Sequence, residues 1–324
     1  MCNSRTFFMG LGIMLQFLIA PPSGAANSTE ELSEGTVDVP FGSLHYTIRG
    51  HGEPMLILSG GPGLSSDYLI PVAAELSSSY QTILVDQRGT GRSKLKSIDS
   101  TSVTLKLTVD DLELVRRHLG IKTWYVLGHS WGGMLGMMYL TEYPSAVRAL
   151  ALVGSGGPTT DFFEPFGDNL EARRTPADRD AMAFWRGPAQ VQADPQRASY
   201  ERLRAGYPAY FFDGRNAWPL VEALRPESYS SAIDGLLRQD LALTRFDLRP
   251  RLRNVHVAAL ILHCHQDPVP ESVALEIQSL LEGSQLRFLD RCGHYPWLEQ
   301  ADKLYEVLRG FFSALPTAGA SSRH

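Results

Sequence analysis

The run Trp124-Tyr125-Val126-Leu127-Gly128-His129-Ser130-Trp131-Gly132-Gly133 leaves this chain few choices of fold. Its first four residues read as a short strand, and Trp131–Tyr143 reads as a helix. A strand that turns sharply into a helix brings two backbones together, so small residues must flank the turn. Strand-to-helix units of this kind build parallel sheets, because a parallel neighbour needs a crossover connection. The same turn lifts the Ser130 hydroxyl to a helix N-terminus, where peptide dipoles favour developing negative charge. Gly128-x-Ser130-x-Gly132 in this setting has the form of a nucleophile elbow.

The rest of the chain repeats the alternation. Strands are expected at Val37–Val39, Ser43–Ile48, Met55–Leu58, Thr82–Val85, Ala149–Val153, Ala259–His263 and Gln285–Leu289. Helices are expected at Thr108–Leu119, Ser272–Leu281 and Leu298–Leu315, the first opened by the capping-box spacing of Thr108 and Asp111. The pattern implies a mainly parallel sheet covered on both faces. Residues 157–246 lack a clear apolar strand and are rich in Arg, Pro, Ala and aromatics, so they are read as a helical cap inserted into the core. The core then comprises 27–156 and 247–316, and 317–324 is expected to be a disordered tail.

The N-terminus is of another kind. Arg5 precedes an uncharged apolar run, Phe7–Ala20, which ends at Pro21-Pro22 and a small-residue stretch, Ser23–Ala26. Residues 1–26 therefore read as a signal peptide, and the expected location is periplasmic or secreted. No later stretch is long and apolar enough to anchor the mature chain stably in a membrane. The formal net charge of −5 over 324 residues lacks the basic field of a nucleic-acid binder.

A serine nucleophile needs a base. His294, in Cys292-Gly293-His294-Tyr295-Pro296-Trp297, follows the last strand and should face the same sheet edge as Ser130. An imidazole base needs a carboxylate on its other nitrogen, and Asp267 follows the preceding strand. Asp86 and Asp290 compete for that role less favourably. Ser59-Gly60-Gly61-Pro62-Gly63 follows another strand, and the amides of Gly61 and Trp131 are the expected oxyanion donors. Pro62 has no N–H to offer. Cys264 and Cys292 follow the ends of strands expected to be adjacent, within the span of a disulfide in an exported protein. That bridge would brace the Asp267 and His294 loops. His263-x-His265-x-Asp267 matches part of a two-metal motif, but Pro268 stands where its final histidine belongs, so no metal and no cofactor are expected.

Taken together, SGGPG (59–63), DQRGTGRS (86–93), GHSWGG, the late Asp267 and GHYPWLE resemble the α/β-hydrolase superfamily, and most of all its prolyl aminopeptidase (proline iminopeptidase) family, over about 35–155 and 247–314. The resemblance implies an α/β-hydrolase fold with a cap over the site, a Ser130–His294–Asp267 triad, an oxyanion hole at Gly61 and Trp131, and a substrate that is a short peptide or small molecule. Two departures stand out: Ser59 replaces the family's usual histidine, and the cap lacks the paired tryptophans and Glu that hold a substrate amine. Of the cap glutamates 164, 171, 201, 222 and 227, Glu201 is the first candidate for that amine, because the aromatic stretch Tyr207–Phe212 follows it. Tyr210 and Phe211 are candidate pocket residues. The expected function is an exported aminopeptidase on short peptides. An esterase, lactonase or amidase on small apolar acyl compounds is the second reading, and a catalytically silent binding protein the third.

Overall fold

The computed structural model describes residues 32–316. The signal segment expected over 1–26 and the tail expected over 317–324 lie outside the described residues. Strands β1 (Leu32–Val39), β2 (Gly42–Arg49) and β3 (Glu53–Leu58) open the fold. Then come α1 (Ile70–Ser77), β4 (Tyr80–Val85), the short β5 (Lys94–Leu95), α2 (Leu105–His118), β6 (Trp124–His129), α3 (Trp131–Glu142) and β7 (Val147–Val153). A helical stretch follows: α4 (Phe163–Arg173), α5 (Pro176–Arg186), α6 (Pro188–Ala193), α7 (Pro195–Gly206), α8 (Trp218–Ala223), α9 (Ser231–Leu243) and α10 (Arg249–Leu252). The chain closes with β8 (Ala258–Cys264), α11 (Glu271–Leu280), β9 (Gln285–Leu289), α12 (Pro296–Glu299) and α13 (Ala301–Ser313).

The strands form one sheet in the order β1-β2-β4-β3-β6-β7-β8-β9, with β5 beside β2. From β4 through β9 every pair is parallel, while β1–β2, β2–β4 and β2–β5 are antiparallel. The antiparallel edge follows from loop length: Pro40 and Phe41 alone join β1 to β2, too short for a parallel crossover. Every residue of β6 is buried, as a strand covered on both faces must be. Trp124 and Val126 enter one apolar layer with α2, α3 and α11, whereas Tyr125 and Leu127 enter the other with α1 and α13. Helix α3 is buried continuously from Trp131 to Leu140, as its all-round apolar sequence requires. Among the described residues no helix is long and apolar enough to cross a membrane.

Strand β3 pairs with β4 on one side and β6 on the other, so the chain reverses its direction of travel across the sheet there. A crevice opens beyond the C-terminal ends of strands at such a switch point. The loop after β3 carries Gly61, and the turn after β6 carries Ser130.

Candidate active site

Ser130 has φ 58° and ψ −121°, a conformation that side-chain-bearing residues rarely adopt. The turn is over-determined by its bonds. The Ser130 amide donates to the Val153 carbonyl (3.2 Å), and the Ser130 carbonyl accepts from Gly133 (2.9 Å) and Gly156 (3.1 Å). Gly132 is required by close approach, since a Cβ there would run into the Leu58 carbonyl oxygen of β3.

The structure brings His294 and Asp267 together in the interior. His294 Nδ1 lies 3.0 and 2.9 Å from the two Asp267 carboxylate oxygens, and both side chains are buried. Asp267 Oδ1 also accepts from the Val269 amide at 2.8 Å. Burial acts to raise the Asp267 pKa, but the charge and hydrogen bond of His294, then His263 and the Val269 amide, outweigh it and hold the carboxyl below its usual range. His294 is fixed by its main chain too. Its N–H donates to the Tyr210 carbonyl (2.7 Å), and its carbonyl accepts from His129 Nε2 (2.8 Å). The Cys264–Cys292 disulfide, with a Cα separation of 5.4 Å, ties the end of β8 to the loop that presents His294.

Ser130 and His294 line one cavity of about 110 Å³, together with Gly61 and Trp131. That is small beside the roughly 300–1,000 Å³ of pockets that take drug-sized ligands. Trp131 opens α3, so its N–H has no intrahelical acceptor. Gly61 has φ +115°, which a side chain would resist. The loop before it is anchored by the segment that follows β4. Gln87 Nε2 donates to the Ser59 carbonyl (2.7 Å), and Gln87 Oε1 accepts from the Trp131 indole (2.9 Å). Asp86 accepts from the Ser66 amide (2.9 Å) and hydroxyl (2.8 Å) and from the Arg92 amide (3.0 Å). Arg88 is fully buried and pairs in bidentate fashion with Asp111 (2.9 and 2.6 Å). The DQRG segment thus holds the site's framework.

The cap side of the cavity is aromatic, with Phe162, Phe163, Phe166, Tyr207, Tyr210 and Tyr229. It also carries Asp234 and Arg238 of α9, which pair at 2.9 and 3.0 Å. Burial raises the Asp234 pKa against the opposing pull of Arg238.

Of Glu201, Tyr210 and Phe211, the residues singled out for substrate, Tyr210 lines this cavity. Its ring lies 5.5 Å from that of His294. Phe211 is buried one residue on and stacks on Tyr295 at 5.0 Å. Glu201 requires correction. It pairs with Arg204 at 3.5 Å and borders a separate depression near Asp194 and Pro226. The reason is helical geometry: Leu203 of α7 does line the cavity, and a residue two positions away points some 200° around the helix. His263 Nε2 donates to the Val269 carbonyl (3.0 Å), while His265 faces outward to Glu271 (2.7 Å), so the two histidines do not converge on one metal position. Sequence reasoning missed Asp234, Arg238, Gln87 and Glu299. The Glu299 carboxylate accepts from Gly293 N (2.7 Å), Phe212 N (3.2 Å), Asp213 N (3.0 Å) and Asn216 Nδ2 (3.2 Å), joining the cap to the His294 loop. The glutamine of DQRGTGRS and the terminal glutamate of GHYPWLE were the available signals, and none marked Asp234 or Arg238.

Residues 53–301 match the family described as alpha/beta hydrolase fold. The chain is 27% identical over 299 residues to a proline iminopeptidase of Lactobacillus delbrueckii subsp. bulgaricus, covering 83% of this chain and 95% of that protein. It is 25% identical over 285 residues to 2-hydroxy-6-oxo-6-phenylhexa-2,4-dienoate hydrolase of Comamonas testosteroni, covering 83% and 90%. Among solved structures it resembles an esterase from Exiguobacterium antarcticum, with a TM-score of 0.67 and 22% identity over 86% of this chain and 99% of that one.

Proposed function

The chain belongs to the alpha/beta hydrolase fold family, and from that premise we propose that it is a serine hydrolase that releases small N-terminal residues from short peptides. Ser130 Oγ attacks the scissile carbonyl as His294 Nε2 takes its proton. Asp267 holds the imidazole by Nδ1–H and stabilises the imidazolium. The Gly61 and Trp131 amides receive the oxyanion. His294 returns the proton to the leaving amine, and water repeats the sequence to free the acyl group.

One observation carries the peptide reading: Asp234, a carboxylate in the wall of a small aromatic cavity that also contains Ser130. A substrate α-ammonium entering such a site needs an anionic partner. The proline iminopeptidase relative agrees with this reading. A second reading, hydrolysis of small apolar esters or lactones, is favoured by Arg238, which already neutralises Asp234.

The test compares a prolyl anilide, its N-acetyl form and a short-chain nitrophenyl ester on the wild type and on Asp234→Asn. The peptide reading expects turnover of the free-amine anilide, loss on acetylation, and a rise in KM of about 10–100-fold in Asp234→Asn, the worth of a hydrogen bond to a charged group. Ester turnover alone, indifferent to position 234, would replace it with the second reading. We also propose export to the periplasm or beyond. The signal-like residues 1–26 and the Cys264–Cys292 disulfide support it.

A further inference from the structure

We propose that Tyr68 and His129 form a hydrogen-bonded strut that sets the oxyanion loop and the His294 loop in register on either side of Ser130. The proposal rests on the serine-hydrolase reading above. Neither residue is assigned a chemical step. Both are positioning residues.

Donor and acceptor accounting fixes every proton in the strut. The His294 carbonyl can only accept, so His129 Nε2, 2.8 Å away, carries the hydrogen. In the neutral ring, His129 Nδ1 must then be an acceptor. Its partner at 2.8 Å is the Tyr68 hydroxyl, which donates. The same hydroxyl oxygen accepts from the Gly60 amide at 2.6 Å. The result is one directed chain: Gly60 N–H to Tyr68, Tyr68 O–H to His129, and His129 Nε2–H to the His294 carbonyl. Burial, followed by the nearby His294, pushes the His129 pKa down to about 3, so the ring stays neutral and the chain keeps its direction at working pH.

Each end of the chain meets something that needs holding. Gly60 and Gly61 are consecutive glycines and have wide conformational freedom. Pinning the Ser59–Gly60 peptide limits that freedom just ahead of the Gly61 amide. Gln87 Nε2 holds the carbonyl of this peptide at 2.7 Å, and Tyr68 holds its N–H at 2.6 Å. At the other end, the His294 main chain is held from the cap by the Tyr210 carbonyl and from the core by His129. His129 is also the residue directly before Ser130, so the elbow fixes the middle of the strut.

Packing alone does not call for these polar atoms. The Tyr68 and His129 rings lie against Trp297 at 6.1 and 4.8 Å between centroids, an environment that would accept purely apolar rings. Burying a hydroxyl and an imidazole there is tolerable because each polar atom has a partner. What the polar atoms add is geometry. A misplacement of about 1 Å in an active site can cost on the order of 100-fold in rate.

The experiment uses the purified chain and a fluorophosphonate probe, from which a serine Oγ displaces fluoride to form an O–P bond. The wild type should be labelled at Ser130 and Ser130→Ala should not. Failure of that arm would overturn the serine-hydrolase reading and the strut with it. In Tyr68→Phe, kcat and the labelling rate should both fall about 10–100-fold while KM stays within about threefold. The labelled end point should stay near wild type, and the thermal midpoint should fall by no more than a few degrees, because the Gly60 amide and His129 Nδ1 lose their partner. Asparagine places an acceptor near the position of Nδ1, and glutamine places a donor near that of Nε2. His129→Gln, which keeps the bond to the His294 carbonyl, should therefore retain several-fold more activity than His129→Asn. With wild-type labelling intact, three results would overturn the strut: a Tyr68→Phe labelling rate within about fivefold of wild type, a smaller labelled fraction reacting at the wild-type rate, or equal activity of the two His129 variants.

Discussion

Asp267 is enclosed, yet its carboxyl lies below the ordinary range because the neighbouring His294 outweighs the penalty of burial. It therefore remains ionised wherever a histidine can act as a base, and in the proposed mechanism it holds Nδ1–H and so leaves Nε2 free to take the Ser130 proton. Asp267→Asn keeps the shape but can present its N–H to Nδ1 and select the wrong tautomer. The expected outcome is a fall in kcat of about 10⁴-fold, with KM nearly unchanged, measured in steady state on whichever substrate the enzyme turns over. A fall of less than about tenfold would move the orienting role elsewhere. At this scale, local motifs made the constellation legible. Ser130 is marked by glycines that the close approach of β3 and α3 requires, Asp267 follows a continuously apolar strand, and His294 follows the strand that alternates as Gln285-Leu286-Arg287-Phe288-Leu289. Asp234 left no such mark. It reaches the cavity through the position of α9, whose start is tied to the loop after β3 by main-chain contacts (Ser230 N–H to the Gly63 carbonyl, 2.9 Å) that no side-chain pattern announces. Glu201 misled for the same reason, since aromatic neighbours along a chain say nothing about which way a helix turns.

At the scale of elements, α2 shows what local pattern resolves and what it leaves open. Its apolar stripe was readable, but its start was expected at Thr108. The actual N-cap is Thr104, one turn earlier: its backbone is extended and its hydroxyl accepts from the Leu107 amide at 3.2 Å. Thr108 is already helical and donates its hydroxyl to the Thr104 carbonyl at 2.8 Å. Two threonines four residues apart offer alternative caps, and burial of Leu105 selects the longer helix. The same helix holds Glu113, which accepts from Arg116 (2.7 and 2.8 Å), Arg117 (2.6 Å) and Tyr139 of α3 (3.0 Å). Hydrogen bonding to Arg116, against a smaller opposing effect of burial, lowers the Glu113 pKa to about 2 from 4.5. Between those values the unfolded chain binds the proton that the folded chain refuses. The stabilisation is thus present above pH 4.5 and lost as pH falls through about 2. Urea titrations of the wild type should show stability declining through this window, and Glu113→Gln should flatten the decline. An identical pH slope in the variant would remove Glu113 as its source.

Across the whole molecule, the question is what keeps a cap-borne wall and the core-borne Ser130, His294 and Asp267 in one geometry. Two devices converge on the His294 loop. One is covalent, the Cys264–Cys292 bond with a sequence separation of 28. The other is a set of hydrogen bonds from separate elements: Tyr210 to the His294 amide, His129 to its carbonyl, and Glu299 to Gly293 and to cap residues 212, 213 and 216. They act on different states. A cross-link of this span works mainly by restricting the unfolded chain and is worth about 3–4 kcal/mol, whereas the hydrogen bonds choose among folded geometries. The sequence made the bond legible through two strand ends, but the Glu299 clamp needs the cap in place before it exists. Cys264→Ala/Cys292→Ala should therefore lower the thermal midpoint by several degrees and leave kcat at 25 °C within about threefold of wild type. Glu299→Ala should do the reverse, reducing kcat about tenfold or more at a smaller cost in melting temperature. Calorimetry and steady-state kinetics on the same preparations decide it. If removing the disulfide lowers kcat more than removing the Glu299 carboxylate does, the covalent bond is what positions the base, and the hydrogen bonds only follow it.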